Sequence, residues 1–516
     1  MAGVHGDHWQ ASHYSYQNSQ TKIKMNGNLS RNIEETLGVK QGHINSSDHY
    51  KVYILPCLET LDEAQLGVWI GPVNCGVSGC ADDVYLGSDD PVKLQSLIEI
   101  AAFYGKLYRI QYGASKTKIT VSGPEIDMNY YSDTKPWKMN GQPIDVVENN
   151  DHLGQIVSGN RQEEKNVELR IKKSQNSLFA LLGPAFSFRC LLSPVVKLHL
   201  YRTFVCPVLR SGLSSLVVKN TLINPLSIFQ RKTLKGVLKV SKQASTAGIH
   251  FLTGELPIEA KIHRDVFSVF YSVWANPDTK INGIIKYLLS SSSEDSKTWS
   301  IFVRQICHQY GLEDPLFCLR RDPPKKSEFK SVTDARIKAF HETELRGKAD
   351  MKYFNVSLTG LSGRHHPALS GIITTTDVKK SRAHLKMLIG DFYTYKVKSE
   401  QSGGSPNCRL CSDNMVEDIQ HILTFCTEYS DVRTRILQEF AYLCLESKSS
   451  INFDEIVSDS QELCQFILDP TSFNLKKRIS LQDPLLANFF NISRDLCFSI
   501  NEQRLKLIRH KNNQKL

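Results

Sequence analysis

The chain has 516 residues, enough for roughly two to four domains with cores of their own. Hydrophobic residues make up 41% and the formal net charge is +10, which excludes wholesale disorder and permits nucleic-acid binding without requiring it. There are thirteen scattered cysteines, no basic segment leading into an apolar run at the N-terminus, and a longest apolar stretch (178–194) interrupted by Arg189 and two prolines; the expectation is a chain without signal peptide or membrane span, in a reducing setting of nucleus and cytoplasm, with its cysteines as core residues or metal ligands.

Residues 1–13 are polar and aperiodic and read as a disordered start. From Ser15 a hairpin is expected: Thr21, Ile23 and Met25 alternate into Asn26-Gly27, the pair favoured in a type I′ turn. Glycine-bounded segments of mixed period then run to about Gly159, which suits a small α/β domain. Beyond it the period becomes helical. Val167, Ile171, Leu178 and Leu182 fall near one face, with Arg170, Lys173 and Ser177 opposite. Val195–Leu209 and Ser227–Val240 read as further helices. In the latter Arg231, Lys235 and Lys239 form a stripe at four-residue spacing, either a solvated face or a contact to backbone phosphates. Linkers are expected at Ser290–Lys297, Arg320–Lys326 and Lys398–Asn407, and the basic tail Arg504–Lys515 reads as a frayed, solvated end.

One short segment carries specific chemistry. Gly79-Cys80-Ala81-Asp82-Asp83-Val84-Tyr85-Leu86 places adjacent aspartates between two apolar strand segments, at the tip of a hairpin. Two such carboxylates repel one another unless a cation lies between them. Mg²⁺ takes carboxylate and phosphate oxygens, and a pair of these ions can clamp an in-line phosphoryl displacement. Alone, the tripeptide is weak evidence, since Asp-Asp pairs in ordinary acidic turns are far commoner.

Its neighbours add to it. Leu37-Gly38-Val39-Lys40-Gln41-Gly42-His43 lies upstream; Tyr112-Gly113-Ala114-Ser115-Lys116-Thr117-Lys118 and His152-Leu153-Gly154 lie downstream. In order and spacing these resemble motifs B, C, D and E of the reverse transcriptase palm of non-LTR (LINE-like) retrotransposons. The segments Leu198–Val205, Phe229–Lys232 and Leu252–Ile258 resemble the thumb and post-thumb region of the same elements.

The resemblance implies an RNA-directed DNA polymerase (a nucleotidyltransferase) that uses dNTPs, an RNA template and a DNA primer or target, with Mg²⁺ or Mn²⁺ at the palm. Asp82 matches the stronger metal ligand and Asp83 the weaker. Gly38, Gln41 and Gly42 match the lining of the nucleotide and template pocket. Lys116 matches the residue that protonates the pyrophosphate leaving group, with Lys118 as its alternative. This sequence departs from the pattern at His43, where a small residue is usual, and at Gly113, where asparagine is usual. No segment matches motif A with its third carboxylate, nor the fingers or an endonuclease, so the expectation is a polymerase inactive on its own. The alternative is a non-catalytic remnant that binds nucleic acid through thumb and zinc module.

The second constellation is Cys408-x2-Cys411-x9-His421-x4-Cys426. The first pair makes a tight knuckle presenting two thiolates to one ion. Glu417–Phe425 reads as a helix carrying His421. Cys426, five residues on, lies about 140° further round an α-helix, so the helix must end before it for both side chains to reach one ion. Three sulfurs and a nitrogen fit a closed, structural Zn²⁺ site; the alternative is two free thiols, a helix histidine and a core cysteine. LINE-like proteins carry a Cys-Cys-His-Cys module near the C-terminus, and its task is expected to be nucleic-acid binding near Arg409 or bracing of the flanking helices. The remaining cysteines and the His365-His366 turn show no ligand spacing. The expected architecture is an α+β partial palm followed by mostly α-helical thumb and C-terminal regions with a small zinc-knuckle-like module. Its parts are 1–13 (disordered start), 14–160 (partial palm), 161–289 (thumb and post-thumb), 298–397 (helical or mixed connector), 407–430 (zinc module) and 431–516 (C-terminal helices).

Overall fold

The computed structural model describes residues 6–17, 19–35, 38–39, 42–123, 137–182, 192–348, 354, 360–447, 451–471, 479–481 and 483–513. The chain is mostly helical and divides into two units, one of residues 1–152, 157–160 and 278–287, the other of 153–156, 161–277 and 288–516. Residues 278–287, grouped by sequence with the helices before them, therefore belong to the first unit.

In the first unit, Asp7–Tyr16 is a helix rather than disordered chain. It buries no side chain, so it has no apolar face for periodicity to detect. Within it the Trp9 and His13 rings stack at 4.8 Å, one helical turn apart, and at its end Tyr16 meets the rings of His43 and His49 and the Ser46 hydroxyl. The Asn26-Gly27 turn forms as expected. Met25 pairs with Asn28, and both turn residues have positive φ, 51° and 84°, as a type I′ turn requires.

The long helix Pro91–Leu107 organises this unit. Asp90 caps it, accepting from the Val92 and Lys93 amides. Leu97 and Ala101 face a core with Ile54, Cys57 and Leu61 of the helix Ser46–Glu63. Ile98 and Ala102, one residue further round, face a second core with Ile119, Trp137, Met139 and Ile144. The hairpin Val77–Cys80/Asp83–Leu86 rests on these cores through Val77 and Leu86 at its base. That anchoring fixes the direction of its tip.

In the second unit the helix Gln162–Leu182 forms where its period predicts, but on a different face. Asn166, Val167, Arg170 and Ser174 are the buried positions. Asn166 accepts from the Ile156 amide and donates to its carbonyl, and Arg170 Nη2 donates to Gly154 O at 2.5 Å. Asn166 and Arg170, tied to backbone, thus take part of the buried face that periodicity assigns to apolar residues, while Ser174 Oγ and Arg170 Nε are buried without a hydrogen-bond partner. Val195–Leu209 is helical as expected, with a widened π turn at Tyr201–Val205.

The three segments that resemble thumb and post-thumb converge on one buried network. Glu255 is ion-paired with both Arg202 and Lys261, and Arg202 Nη2 donates to Thr253 O at 2.8 Å. Gln230 donates to Leu256 O at 3.0 Å and accepts from the Ile258 amide at 2.7 Å. Burial pushes the Glu255 carboxyl up, but the Lys261 and Arg202 cations outweigh it and hold it below its ordinary value. Gly254 ends the helix Thr246–Thr253 with φ 66°, and a Cβ there would lie 2.0 Å from Arg364 O. These residues are accounted for by packing.

All three expected linkers are built differently: Lys398–Ser402 of the third belongs to the helix Tyr395–Ser402, and its Asn407 forms a β-bridge with Val416. Ser290 and Ser291 end the helix Lys280–Ser291. In Arg320–Lys326, Tyr271 Oη donates to Pro324 O at 2.7 Å and Trp274 Nε1 to Arg321 O at 2.8 Å, so the segment is pinned. Of the basic tail, residues 504–513 are helical rather than frayed, with Leu505, Lys506 and Arg509 to Lys511 exposed. Leu486–Asn513 is one helix whose buried positions Ser493, Cys497, Ile500 and Arg504 follow helical spacing.

Candidate metal centre

The knuckle begins with a closed loop. Asn407 and Val416 form an antiparallel bridge, the Cys408 amide donates to Met415 O at 2.7 Å, and the Glu417 amide donates to Pro406 O at 2.9 Å. Asn414 turns this loop with φ 51°. The Asp418 carboxylate then accepts from the His421 amide at 2.8 Å, opening the helical turn that carries the histidine.

That turn is a π-helix, His421–Phe425, in which the Cys426 amide donates to His421 O at 2.8 Å. An i→i+5 turn brings residue 426 more nearly above residue 421 than an α turn does. Cys426 itself leaves the helix with φ −55° and ψ 121°. The helix thus ends before Cys426, as the spacing demands.

The ligand atoms of Cys408, Cys411, His421 and Cys426 all lie within 4.8 Å of one another. Cys411 Sγ is 3.5 Å from His421 Nε2. Zn–S near 2.3 Å and Zn–N near 2.05 Å at a tetrahedral angle require an S···N separation of about 3.5 Å. Cys408, His421 and Cys426 are buried and Cys411 is half-buried. A soft, four-donor, water-poor set of this kind fits a structural zinc ion. Without an ion the three thiols compete. A hydrogen bond with Cys426 holds Cys408 well below the usual thiol value, to about 3, while that bond and burial push Cys426 up.

Sequence reading did not find the residues around this set. Glu417 is 0% exposed; its Oε1 accepts from Arg504 Nη2 at 2.5 Å and from the Tyr395 amide at 3.0 Å. Burial pushes its carboxyl up, and Arg504 only partly offsets that. The Arg504 guanidinium lies over the rings of Phe392 and Tyr395 at 5.6 and 5.8 Å. Arg409 stacks on Tyr395 at 5.1 Å, and Lys511 Nζ donates to Arg409 O at 2.5 Å. The knuckle, the helix Tyr395–Ser402 and the terminal helix are therefore tied together. The buried spacing of Ser493, Cys497 and Ile500 was the signal available for Arg504; nothing local marks Glu417.

The second candidate site is the Asp-Asp turn. Cys80 pairs with Asp83, which leaves Ala81 (φ 53°) and Asp82 as a two-residue loop with both carboxylates exposed. Tyr50, on the helix Ser46–Glu63, has its hydroxyl pushed up by burial and by the nearby Asp82. Among the described residues no further carboxylate, histidine or thiol completes a metal-binding group with Asp82 and Asp83. Gly38 and Gly42 are exposed with φ 88° and 85°; Gln41 lies outside the described residues. Lys116 is exposed in the turn after Gly113, whereas Lys118 is ion-paired with Asp145 at 2.6 Å.

Of the basic stripe, Arg231 and Lys235 lie on the helix Asn220–Leu238, and Lys239 is its left-handed cap with φ 58°. Lys235 Nζ donates to Lys242 O at 2.5 Å, so the stripe is part of a helix ending and not a plain solvated face. Among the described residues no helix is long and apolar enough to cross a membrane.

No protein-family model matches this chain, and none of the curated proteins compared with it is similar to it at a significant level.

Proposed function

We propose that this chain is the palm-to-C-terminus portion of a LINE-like reverse transcriptase, which engages an RNA template and a DNA primer. The observation that carries the reading is the Asp82-Asp83 pair, Asp82 in the two-residue hairpin loop and Asp83 first in the strand after it, in sequence order with Gly38-Val-Lys-Gln-Gly42 before it and Lys116 after it. On this reading Asp82 and Asp83 would hold Mg²⁺, which supplies charge stabilisation to the triphosphate when bound. Gly38 and Gly42 would let backbone approach the nucleotide, and the exposed Lys116 would deliver a proton to the leaving pyrophosphate. Two carboxylates hold such an ion poorly, so the chain binds primer–template without extending it. The basic residues Arg231, Lys235 and Lys239 contribute phosphate contacts.

The C-terminal centre would hold one Zn²⁺ through Cys408, Cys411, His421 and Cys426. Its task is to brace the terminal helix and present Arg409 beside the knuckle. The test for the palm is primer extension with Mg²⁺ or Mn²⁺. Template-dependent product that vanishes in Asp82→Asn would replace the half-site reading with a complete polymerase. The test for the centre is elemental analysis: about one zinc per chain is expected, and a metal-free, folded C-terminal region would overturn it.

A further inference from the structure

Arg433 lies on the helix Ser430–Glu446 and is 8% exposed. Its Nη2 donates to the carbonyl oxygen of Cys426, and its Nε has no hydrogen-bond partner. No carboxylate among the described residues pairs with it. A guanidinium withdrawn from water without a counter-charge is costly, and one hydrogen bond to a carbonyl does not neutralise it. The charged neighbour that acts on it is the Cys426 thiol, in the cluster whose backbone it already holds.

The charge sum of that cluster is definite once a divalent ion is bound. Three thiolates and one Zn²⁺ with a neutral histidine give 2 − 3 = −1. Lys511 behaves similarly at the other side of the centre: its ammonium donates to Arg409 O at 2.5 Å and Leu410 O at 3.3 Å, within the Cys408–Cys411 knuckle. Two cations thus end on the backbone of the ligand loops. Arg504, by contrast, is already matched by Glu417. Resting on the zinc reading, we infer that Arg433 is the counter-charge of the metal-loaded centre and a determinant of its zinc affinity. It acts as a positioning residue through Cys426, fixing the carbonyl of that ligand and offsetting the anionic centre.

Full-length Arg433→Gln keeps a donor for the Cys426 carbonyl and removes the charge; Arg433→Met removes both; Arg433→Lys keeps the charge. Zinc affinity is measured by competition with a chromophoric chelator, together with the rise in melting temperature that zinc produces. Outer-shell partners of metal ligands are typically worth about 10- to 100-fold in affinity. Arg433→Gln and Arg433→Met are expected to weaken zinc binding by that order and to shrink the zinc-induced rise, with Arg433→Lys recovering part of both. Wild-type affinity in Arg433→Gln overturns the inference. So does an equal drop in melting temperature with and without zinc, which marks a packing role only. If Arg433→Met fails to fold, Arg433→Gln carries the same expectation. A wild-type chain that binds no zinc defeats the underlying metal reading; bound zinc with unchanged affinity in the variants defeats only the role of Arg433.

Discussion

Replacing Arg504 by methionine isolates the pair that ties the knuckle to the terminal helix. Methionine keeps much of the apolar stem against Phe392 and Tyr395 and removes the cation. Glu417, 0% exposed, is then left as a buried carboxylate with only the Tyr395 amide as donor. Breaking one side of a buried ion pair typically costs about 3–5 kcal/mol. The carboxyl can limit this loss by taking up a proton, since burial already raises it and Arg504 is the main influence holding it down. The penalty is therefore expected to be largest near pH 8 and to shrink toward pH 5. The double variant Glu417→Gln/Arg504→Met, which leaves no buried charge, should recover most of it. Native-state hydrogen exchange on peptides covering 395–402 and 408–426 reads the local opening free energy. A loss below about 1 kcal/mol, the range of an exposed pair, or one that does not vary with pH, would refute the reasoning.

Other outcomes follow from the same structure. Burial holds His250 and His341 down to about 4, and His263 and His384 down to about 3. The unfolded chain binds these protons near pH 6.5, so stability should be intact above that pH. It should fall by up to roughly 1.4 kcal/mol per pH unit per histidine between pH 6.5 and about 4; a urea midpoint unchanged between pH 7.5 and 5 would contradict this. Gly254→Ala forces a Cβ to 2.0 Å from Arg364 O at a positive φ, and a loss of at least about 2 kcal/mol in urea unfolding is expected; a neutral result would show that the 364 loop yields. Replacing Arg231, Lys235 and Lys239 with glutamine should weaken RNA–DNA binding and flatten its dependence on salt, and unchanged binding would return the stripe to a purely structural role.

Local chemistry was the most legible part of the sequence. The Asn26-Gly27 turn, the hairpin turn at Ala81-Asp82 and the end of the helix before Cys426 each follow from one or two residues whose backbone or ligand demands are strong. Asp7–Tyr16 was not legible, because a helix that buries nothing leaves no periodic trace. The face of Gln162–Leu182 was misread because Asn166 and Arg170 are buried by hydrogen bonds to residues 154–156, and hydropathy treats both as surface. Arg320–Lys326 carries linker composition, yet Tyr271 and Trp274 hold its carbonyls. Glu417 and Arg504 lie 87 residues apart in sequence; the pairing of distant charges is decided by tertiary packing and has no local signature.

The palm reading is tested most directly by fluorescence anisotropy with two labelled duplexes of equal length, a DNA primer on an RNA template and a fully DNA duplex, titrated with the full chain at matched salt. Tighter binding to the RNA-templated primer is expected, with steep loss as salt rises. Equal affinity for both, or no binding at either, would contradict the assignment of Asp82, Asp83 and their neighbours to a reverse transcriptase palm.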